Sequence, residues 1–435
     1  MAAMLKAPLQ ALRTPFRIAA VSHCKDLLSI AWQDGKQSNF PNIWLRSAVR
    51  DPEVFDAGSL LYKRDDYVEF IRKESPLVRV EHEKGSEDIF VEWGDHLGTV
   101  NASWLRAQDH NINKDLCKKP DITLWDANFK FPVYNYSERM EKFENWFHDL
   151  RKYGLTFFQG VPPNEAGIMG LIHSIGQEAQ RYHPTNILHI VKDSKEESTY
   201  ESYTYTPKAH PMHVDTPYYA SMHRLTALLG TRYNAPTQDT CNLFVDNLKV
   251  IGDIRREEPE AYDLLRTIPV RLGRRRLRTV LDHCHADEHY KYQLDNVEHK
   301  TMIAYDEREK LDCINMTNKH AGVDFSVFKD HATMKKHYDA YRLLQKKLDD
   351  KANQQQLILK KGTAVLMNNG RISHGRQHIH ASTERYVLSA FLSDRMWDTR
   401  WRILNGQKSG LEEKWLYGCS GEQLEILADR KENRE

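Results

Sequence analysis

The chain has 435 residues, with 62 Lys and Arg against 61 Asp and Glu and a formal net charge of +1 at pH 7. That length accommodates more than one core, and so even a charge balance offers no global attraction to nucleic acid or to an anionic membrane. No run approaches the ~18 apolar residues of a membrane helix, and six cysteines without a C-x-x-C spacing argue against a disulfide framework and fit an intracellular setting.

The first 25 residues contain Lys6, Arg13, Arg17 and Lys25 and no acid. This is the bias of an organelle transit peptide and equally of an ordinary N-terminal arm. Residues 1–14 are assigned to that arm, with a cytoplasmic location expected first and a mitochondrial one second. From 15 to 108 the runs "FRIAAVS", "LLSIAW", "PLVRVEHE" and "DIFVEWGD" alternate between turns, which predicts a small β-rich N-terminal domain. The polar, proline-punctuated segment that follows is taken as a linker over 109–127, and 128–435 as a larger domain.

Within that domain "SERMEKFENWFHDLRKYG" has apolar residues at helical spacing and a stop at Gly154, and "LTFFQGV" reads as a strand. "NEAGIMGLIHSIGQEAQRY" is a helix with Asn164 as its N-cap. "LTALLGT" is a strand, and "CNLFVDNLKVIGDIRREEPEAYDLLRTI" runs from strand into helix. "DHATMKKHYDAYRLLQKKLDDKANQQQ" is the longest amphipathic helix, and "QLILKKGTAVLMNNGRISHGR" and "ERYVLSAFLSD" return to strands. The expected fold class is mainly β with flanking helices: an antiparallel barrel or double-stranded β-helix (jelly roll) plus the small N-terminal domain.

The chemistry begins at "HVDTPYY". On a strand, residues i and i+2 share a face, so His213 and Asp215 can present an imidazole nitrogen and a carboxylate to one ion. A ferrous site of the two-histidine, one-carboxylate type needs a third ligand and open positions, and His374 in "NNGRISHGRQ" is the best candidate. Eleven residues later stands Arg385, in an inward-alternating strand. A buried arginine is costly unless paired, and its planar fork suits a dicarboxylate.

With "FPNIWLR", "YGLTFFQGVP", "INMTN" and "NNGRISHGR" also in order, the chain resembles the γ-butyrobetaine and trimethyllysine dioxygenase branch of the Fe(II)- and 2-oxoglutarate-dependent oxygenases, related more distantly to taurine dioxygenase. The resemblance implies the metal ligands His213, Asp215 and His374, with Fe(II), 2-oxoglutarate and dioxygen as cofactor and co-substrates. It assigns the 2-oxoglutarate C5 carboxylate to Arg385 and, more weakly, to Thr240. Arg376 reads either as a second anion contact or as a surface salt bridge. The implied reaction oxidises a substrate C–H bond while 2-oxoglutarate is decarboxylated to succinate, and the implied partners are a small-molecule substrate and, in a homodimer, a second copy.

Two departures qualify the likeness. The family's structural zinc uses a Cys-x-Cys-x-x-Cys cluster and a later histidine. Here those positions are Val49, Asp51 and Val54, with only His96 remaining, so no structural zinc is expected. The trimethylammonium cage is also altered: Tyr205 matches one aromatic position and Tyr182 approximates another, the expected tryptophan region reads "HPTNILHIV" with no Trp, the carboxylate-binding asparagine position is Ser202, and Tyr218 and Tyr219 add aromatic surface. A small amino-acid-derived or natural-product substrate is therefore expected, with γ-butyrobetaine or trimethyllysine hydroxylation as the alternative. A non-catalytic binding protein with "RLGRRRLR" as its contact surface is a rival of another class. "DHCHADEH" reads as a polar loop rather than a zinc hydrolase site, and His378 and His380 as loop residues.

Overall fold

The structure is a computed structural model. It describes residues 17–404 apart from 50–53, 57–60, 64–68, 70–72, 74, 110–120, 177–186, 192–205, 219–221, 236–239, 278–291, 307–310, 318–324, 381, 393–396, 398 and 402–403. The chain divides into two compact units, one drawn from residues 1–118 and 401–435, the other from 119–400.

In the smaller unit, β1 (Ile18–Cys24), β2 (Leu27–Trp32) and β3 (Gln37–Pro41) form an antiparallel meander that leads into α1 (Asn42–Ala48). After the short pair β4 (Phe55–Asp56) and β5 (Leu61–Tyr62), a second meander follows: β6 (Leu77–His82), β7 (Asp88–Trp93) and β8 (His96–Asn101), with α2 (Ala102–Gln108) behind it. The period-2 patterns of β2 and β7 bury Leu28, Ile30, Trp32, Ile89, Val91 and Trp93 in one shared core. Val49 and Val54 lie in that core too, so two of the family's zinc-ligand positions here carry buried hydrocarbon. His96 stacks on Trp93 at 6.0 Å.

The larger unit is built on two sheets. One has six strands in the order β11 (Ile187–Val191), β22 (Glu384–Leu392), β13 (Leu225–Asn234), β20 (Ala364–Asn368), β10 (Leu155–Gln159) and β9 (Val133–Asn135), antiparallel except for the β9–β10 pair. The other orders β12 (His210–His213), β21 (Ile372–Arg376), β14 (Asn242–Asp246) and β19 (Gln355–Leu357), all antiparallel. The sheets pack face to face through Phe157, Leu228, Val365 and Val387 on one side and Phe244 and Ile372 on the other.

Because side chains alternate, Phe244 points into this interior and Val245 points out. Val245 joins a second core with α5 (Asn247–Glu257), α6 (Pro259–Thr267) and α7 (His331–Asp349), to which Leu272 of β15 (Pro269–Leu277), Ile303 of β17 (Ile303–Asp306) and Ile314 of β18 (Leu311–Ile314) contribute; β16 (Tyr292–Thr301) pairs with β15. Asn247 opens α5 under the Asp246 cap, Pro259 sits at the first position of α6 where its missing N–H costs nothing, and Asp330 caps α7 at 2.7 Å.

Against the six-stranded sheet lie α3 (Phe143–Tyr153) and α4 (Glu165–Ile175), the latter capped by Asn164, whose side chain accepts from the Gly167 N–H at 3.0 Å. Gly154 ends α3 at φ +81°, and a Cβ there would stand 2.7 Å from Arg371 Cδ, so glycine is needed for both reasons. Thr123 and Trp125, within the segment read as linker, are held on this unit: Trp125 Nε1 donates to the Tyr153 carbonyl at 2.7 Å. No helix among the described residues is long and apolar enough to cross a membrane.

Candidate metal and 2-oxoglutarate site

The register of the four-stranded sheet sets His213 opposite His374 and His374 opposite Phe244. Since Phe244 faces the interior between the sheets, His374 does too, and the two imidazole centroids are 4.5 Å apart. Gly375 makes the close approach of β12 possible, because a Cβ there would meet the His210 carbonyl at 2.7 Å.

Asp215 arrives differently from the sequence expectation. β12 ends at His213, so Asp215 stands on the bend beyond it rather than on the strand face. The chain is carried there by backbone pairing of the Val214 N–H with the Met316 carbonyl at 2.8 Å, which gives the "INMTN" segment a role, and by Thr216 at φ +53°. His213 Nε2 is 3.5 Å from Asp215 Oδ1 and His374 Nε2 is 3.4 Å from Asp215 Oδ2. One donor atom from each of the three residues lies within 4.8 Å of the other two, the one such group among the described residues.

This geometry fits an ion. Two donors each about 2.1 Å from a common metal stand roughly 3–3.5 Å apart at angles near 90–110°. His213 Nδ1 donates to the Pro211 carbonyl at 2.8 Å, which fixes the tautomer and leaves the Nε2 lone pair for the metal. Burial raises the Asp215 pKa, but the adjacent His374 and His213 outweigh it and hold the carboxyl well below its ordinary value; burial lowers His213. The resting site is thus a carboxylate with a neutral His213 imidazole, the protonation state a divalent cation requires.

Arg385 lies two residues before the inward-facing Val387 and shares its face. Its guanidinium is buried and donates to Asn242 Oδ1 on the opposite sheet at 3.1 Å. No carboxylate pairs with it among the described residues. Burial first, and the Arg376 charge second, push its pKa down to about 9. Arg376 is not at the surface: it is buried and donates to the carbonyls of Thr206 at 2.8 Å and Lys208 at 2.7 Å, so its guanidinium braces the chain entering β12 and the surface salt-bridge reading is corrected. Thr240 is buried two residues before Asn242 and donates to the His378 carbonyl at 3.4 Å.

Tyr218 packs with Met212, Val245 and Ile251 in the helical core. Tyr182, Ser202, Tyr205 and Tyr219 lie outside the described residues, as do Asp51, the "DHCHADEH" segment and residues 1–16. Of "RLGRRRLR", Leu272 is buried in the helical core. His378 and His380 are exposed. Sequence reasoning missed Asn242, Asn369 and Thr226, whose hydroxyl donates to Asp215 Oδ2 at 3.3 Å. Each is a neutral polar residue in an otherwise apolar strand or strand end, and that was the available signal.

The family model described as "Taurine catabolism dioxygenase TauD, TfdA family" matches residues 118–391, well over half of the chain. The chain belongs to the TauD/TfdA dioxygenase family. Its enzyme class is that of the Fe(II)- and 2-oxoglutarate-dependent dioxygenases, and the His213–Asp215–His374 cluster is compatible with their iron. A second model, "Gamma-butyrobetaine hydroxylase-like, N-terminal", matches residues 20–106. Among curated relatives, this TauD/TfdA member is 25% identical over 253 residues to the γ-butyrobetaine dioxygenase of Pseudomonas sp. (strain AK-1), covering 56% of this chain and 63% of that enzyme's length. It is 22% identical to the mitochondrial trimethyllysine dioxygenase of Gallus gallus, covering 78% of this chain and 77% of the relative, and 21% identical to the human γ-butyrobetaine dioxygenase, covering 87% and 94%.

Proposed function

We propose that this TauD/TfdA dioxygenase oxidises an unactivated C–H bond of a small amino-acid-derived or natural-product substrate, using His213, Asp215 and His374 to hold Fe(II) and Arg385 to seat the distal carboxylate of 2-oxoglutarate. The observation that carries the reading is a guanidinium buried between the same two sheets that enclose the triad's imidazoles, with a neutral Asn242 rather than an acid as its partner among the described residues. A buried cation in that setting is stabilised by an incoming carboxylate, and the planar fork favours two parallel hydrogen bonds. Thr240 is assigned to the same carboxylate, and Arg376 to bracing the wall rather than to direct anion contact.

Bound iron, with 2-oxoglutarate and dioxygen, supplies the oxidising chemistry. The chain's own residues do the rest. The Pro211 contact keeps His213 Nε2 unprotonated, Thr226 orients one Asp215 oxygen, and the apolar side chains between the sheets exclude water. The face-to-face sheets, which run from Val133 to Leu392, support a jelly-roll catalytic domain within the unit of residues 119–400, and the two meanders support a small β-rich domain over 15–108.

γ-Butyrobetaine and trimethyllysine are the first substrates to test, because the named relatives are dioxygenases of those compounds. Tyr182, Ser202, Tyr205 and Tyr219 are proposed to line the substrate side. Succinate release measured with each compound and with a panel of free amino acids and their derivatives decides the substrate. Turnover coupled to either betaine-pathway compound selects the alternative function, and coupled turnover of a different amine acid supports the leading one.

A further inference from the structure

Asp215 is the one member of the triad that no sheet holds. Its peptide lies beyond the end of β12, immediately before Thr216 at φ +53°, a left-handed conformation that a β-branched residue keeps only when its surroundings impose it. Where a neighbouring strand would otherwise supply a donor and an acceptor, a side chain does so. The Asp215 N–H donates to Asn369 Oδ1 at 2.8 Å, and Asn369 Nδ2 donates back to the Asp215 carbonyl at 2.8 Å.

Asn369 is fully buried and is itself fixed. Its N–H donates to the Arg224 carbonyl at 2.8 Å, and Nδ2 reaches the His223 carbonyl at 3.3 Å. His223 in turn is hydrogen-bonded to Thr216 Oγ1 at 3.1 Å, so the bend is tied on both sides of the aspartate. Asn369 also sits on the turn between β20 and β21, five residues before His374.

We infer that Asn369 is a positioning residue for the metal. Its carboxamide imitates a peptide group and locks the carboxylate ligand, 154 residues away in sequence, to the hairpin that presents His374. A carboxamide is required because only it offers both a donor and an acceptor at this reach; the isosteric aspartate keeps the acceptor, loses the donor, and adds a negative charge beside a carbonyl oxygen. The inference rests on the metal reading of the triad.

The test is Co(II) titration of the full-length metal-free protein, followed by the visible absorption of the bound ion, for wild type, Asn369→Ala and Asn369→Asp, with thermal unfolding of each. Both variants are expected to bind Co(II) roughly 10–100-fold more weakly with an altered visible spectrum. Variants that fold and bind within twofold of wild type with the same spectrum overturn the role of Asn369 while leaving the metal site intact. Wild type that binds no Co(II) overturns both readings. Should neither variant fold, amide hydrogen exchange in the wild-type protein decides. The Asp215 N–H is expected to be strongly protected although it lies outside any strand ladder, and exchange at the rate of an open loop refutes the clamp.

Discussion

The buried arginines of the smaller unit and Arg385 of the larger one are treated in opposite ways. In the smaller unit, the Arg46 guanidinium meets Asp95 at 2.7 Å and that of Arg106 meets Asp34 at 2.6 Å, each arginine side chain having almost no exposed surface. Burial works to raise both aspartates, yet the guanidinium hydrogen bonds win and hold the carboxyls below their ordinary range. Each of those charges is answered within the fold. In the larger unit Arg371 is answered likewise, by Asp246 at 2.9 Å, while Arg385 is given only the amide oxygen of Asn242 among the described contacts. Arg46, Arg106 and Arg371 each meet a carboxylate, whereas Arg385 meets a neutral amide, and a buried guanidinium in that setting gains most from an anionic partner.

The largest effect is expected at the ligands. Asp215→Ala or His374→Ala removes one of three donors, and metal analysis of the purified variant should show loss of stoichiometric iron together with loss of 2-oxoglutarate consumption to background. A variant that still retains iron at the wild-type level removes the triad from the account.

The arginine contrast itself is sharpened by a pair of substitutions. Arg385→Ala is expected to cost about 2–5 kcal/mol of 2-oxoglutarate affinity, because the bound carboxylate loses its buried partner, and to leave the melting temperature unchanged or higher. Asp34→Ala removes the carboxylate partner of the fully buried Arg106 and is expected to cost about 3 kcal/mol of stability without altering 2-oxoglutarate affinity. Calorimetric binding and chemical denaturation of both proteins check the crossing. If the two effects exchange places, the comparison fails.

The pH dependence provides the next test. Burial, the first cause, lowers the His223 pKa from 6.5 to about 4. The folded state therefore takes up its proton later than the unfolded chain does, so this residue's contribution is intact above pH 6.5 and stability falls as pH drops from there towards 4, by up to roughly 3 kcal/mol. Denaturant midpoints of the metal-free protein should show that slope, and His223→Gln should flatten it. The smallest effect belongs to the exposed pair of Arg232 with Glu384, 2.6 Å apart and one residue from Arg385. Glu384→Ala should change stability by under about 1 kcal/mol and leave 2-oxoglutarate affinity alone, separating proximity in sequence from participation in the site.

What could be read from the sequence follows the range of the interactions. Helices α3, α4 and α7 are set by local periodicity and were legible, as was the Asn164 cap of α4; the Asp330 cap of α7 emerges from the structure. His213, Asp215 and His374, which the fold brings into one cluster, were picked out by the His-x-Asp spacing and the ordered family segments, and Arg385 by its inward position on a predicted strand. Strand order was not, since pairing His213 with His374 joins segments whose closeness no local pattern records. The position of Asp215 off the strand depends on Asn369 and Met316, both distant in sequence. Tyr218 looked like pocket aromatic surface and instead packs against α5, a choice made by side-chain direction that spacing alone does not fix.

The most direct test is anaerobic titration of 2-oxoglutarate into the wild-type protein with and without Fe(II), alongside Arg385→Ala. The account predicts saturable binding at a single site per chain that needs the metal and is lost when Arg385 is truncated. Absence of binding to the iron-loaded protein, or unchanged affinity after Arg385→Ala, contradicts it.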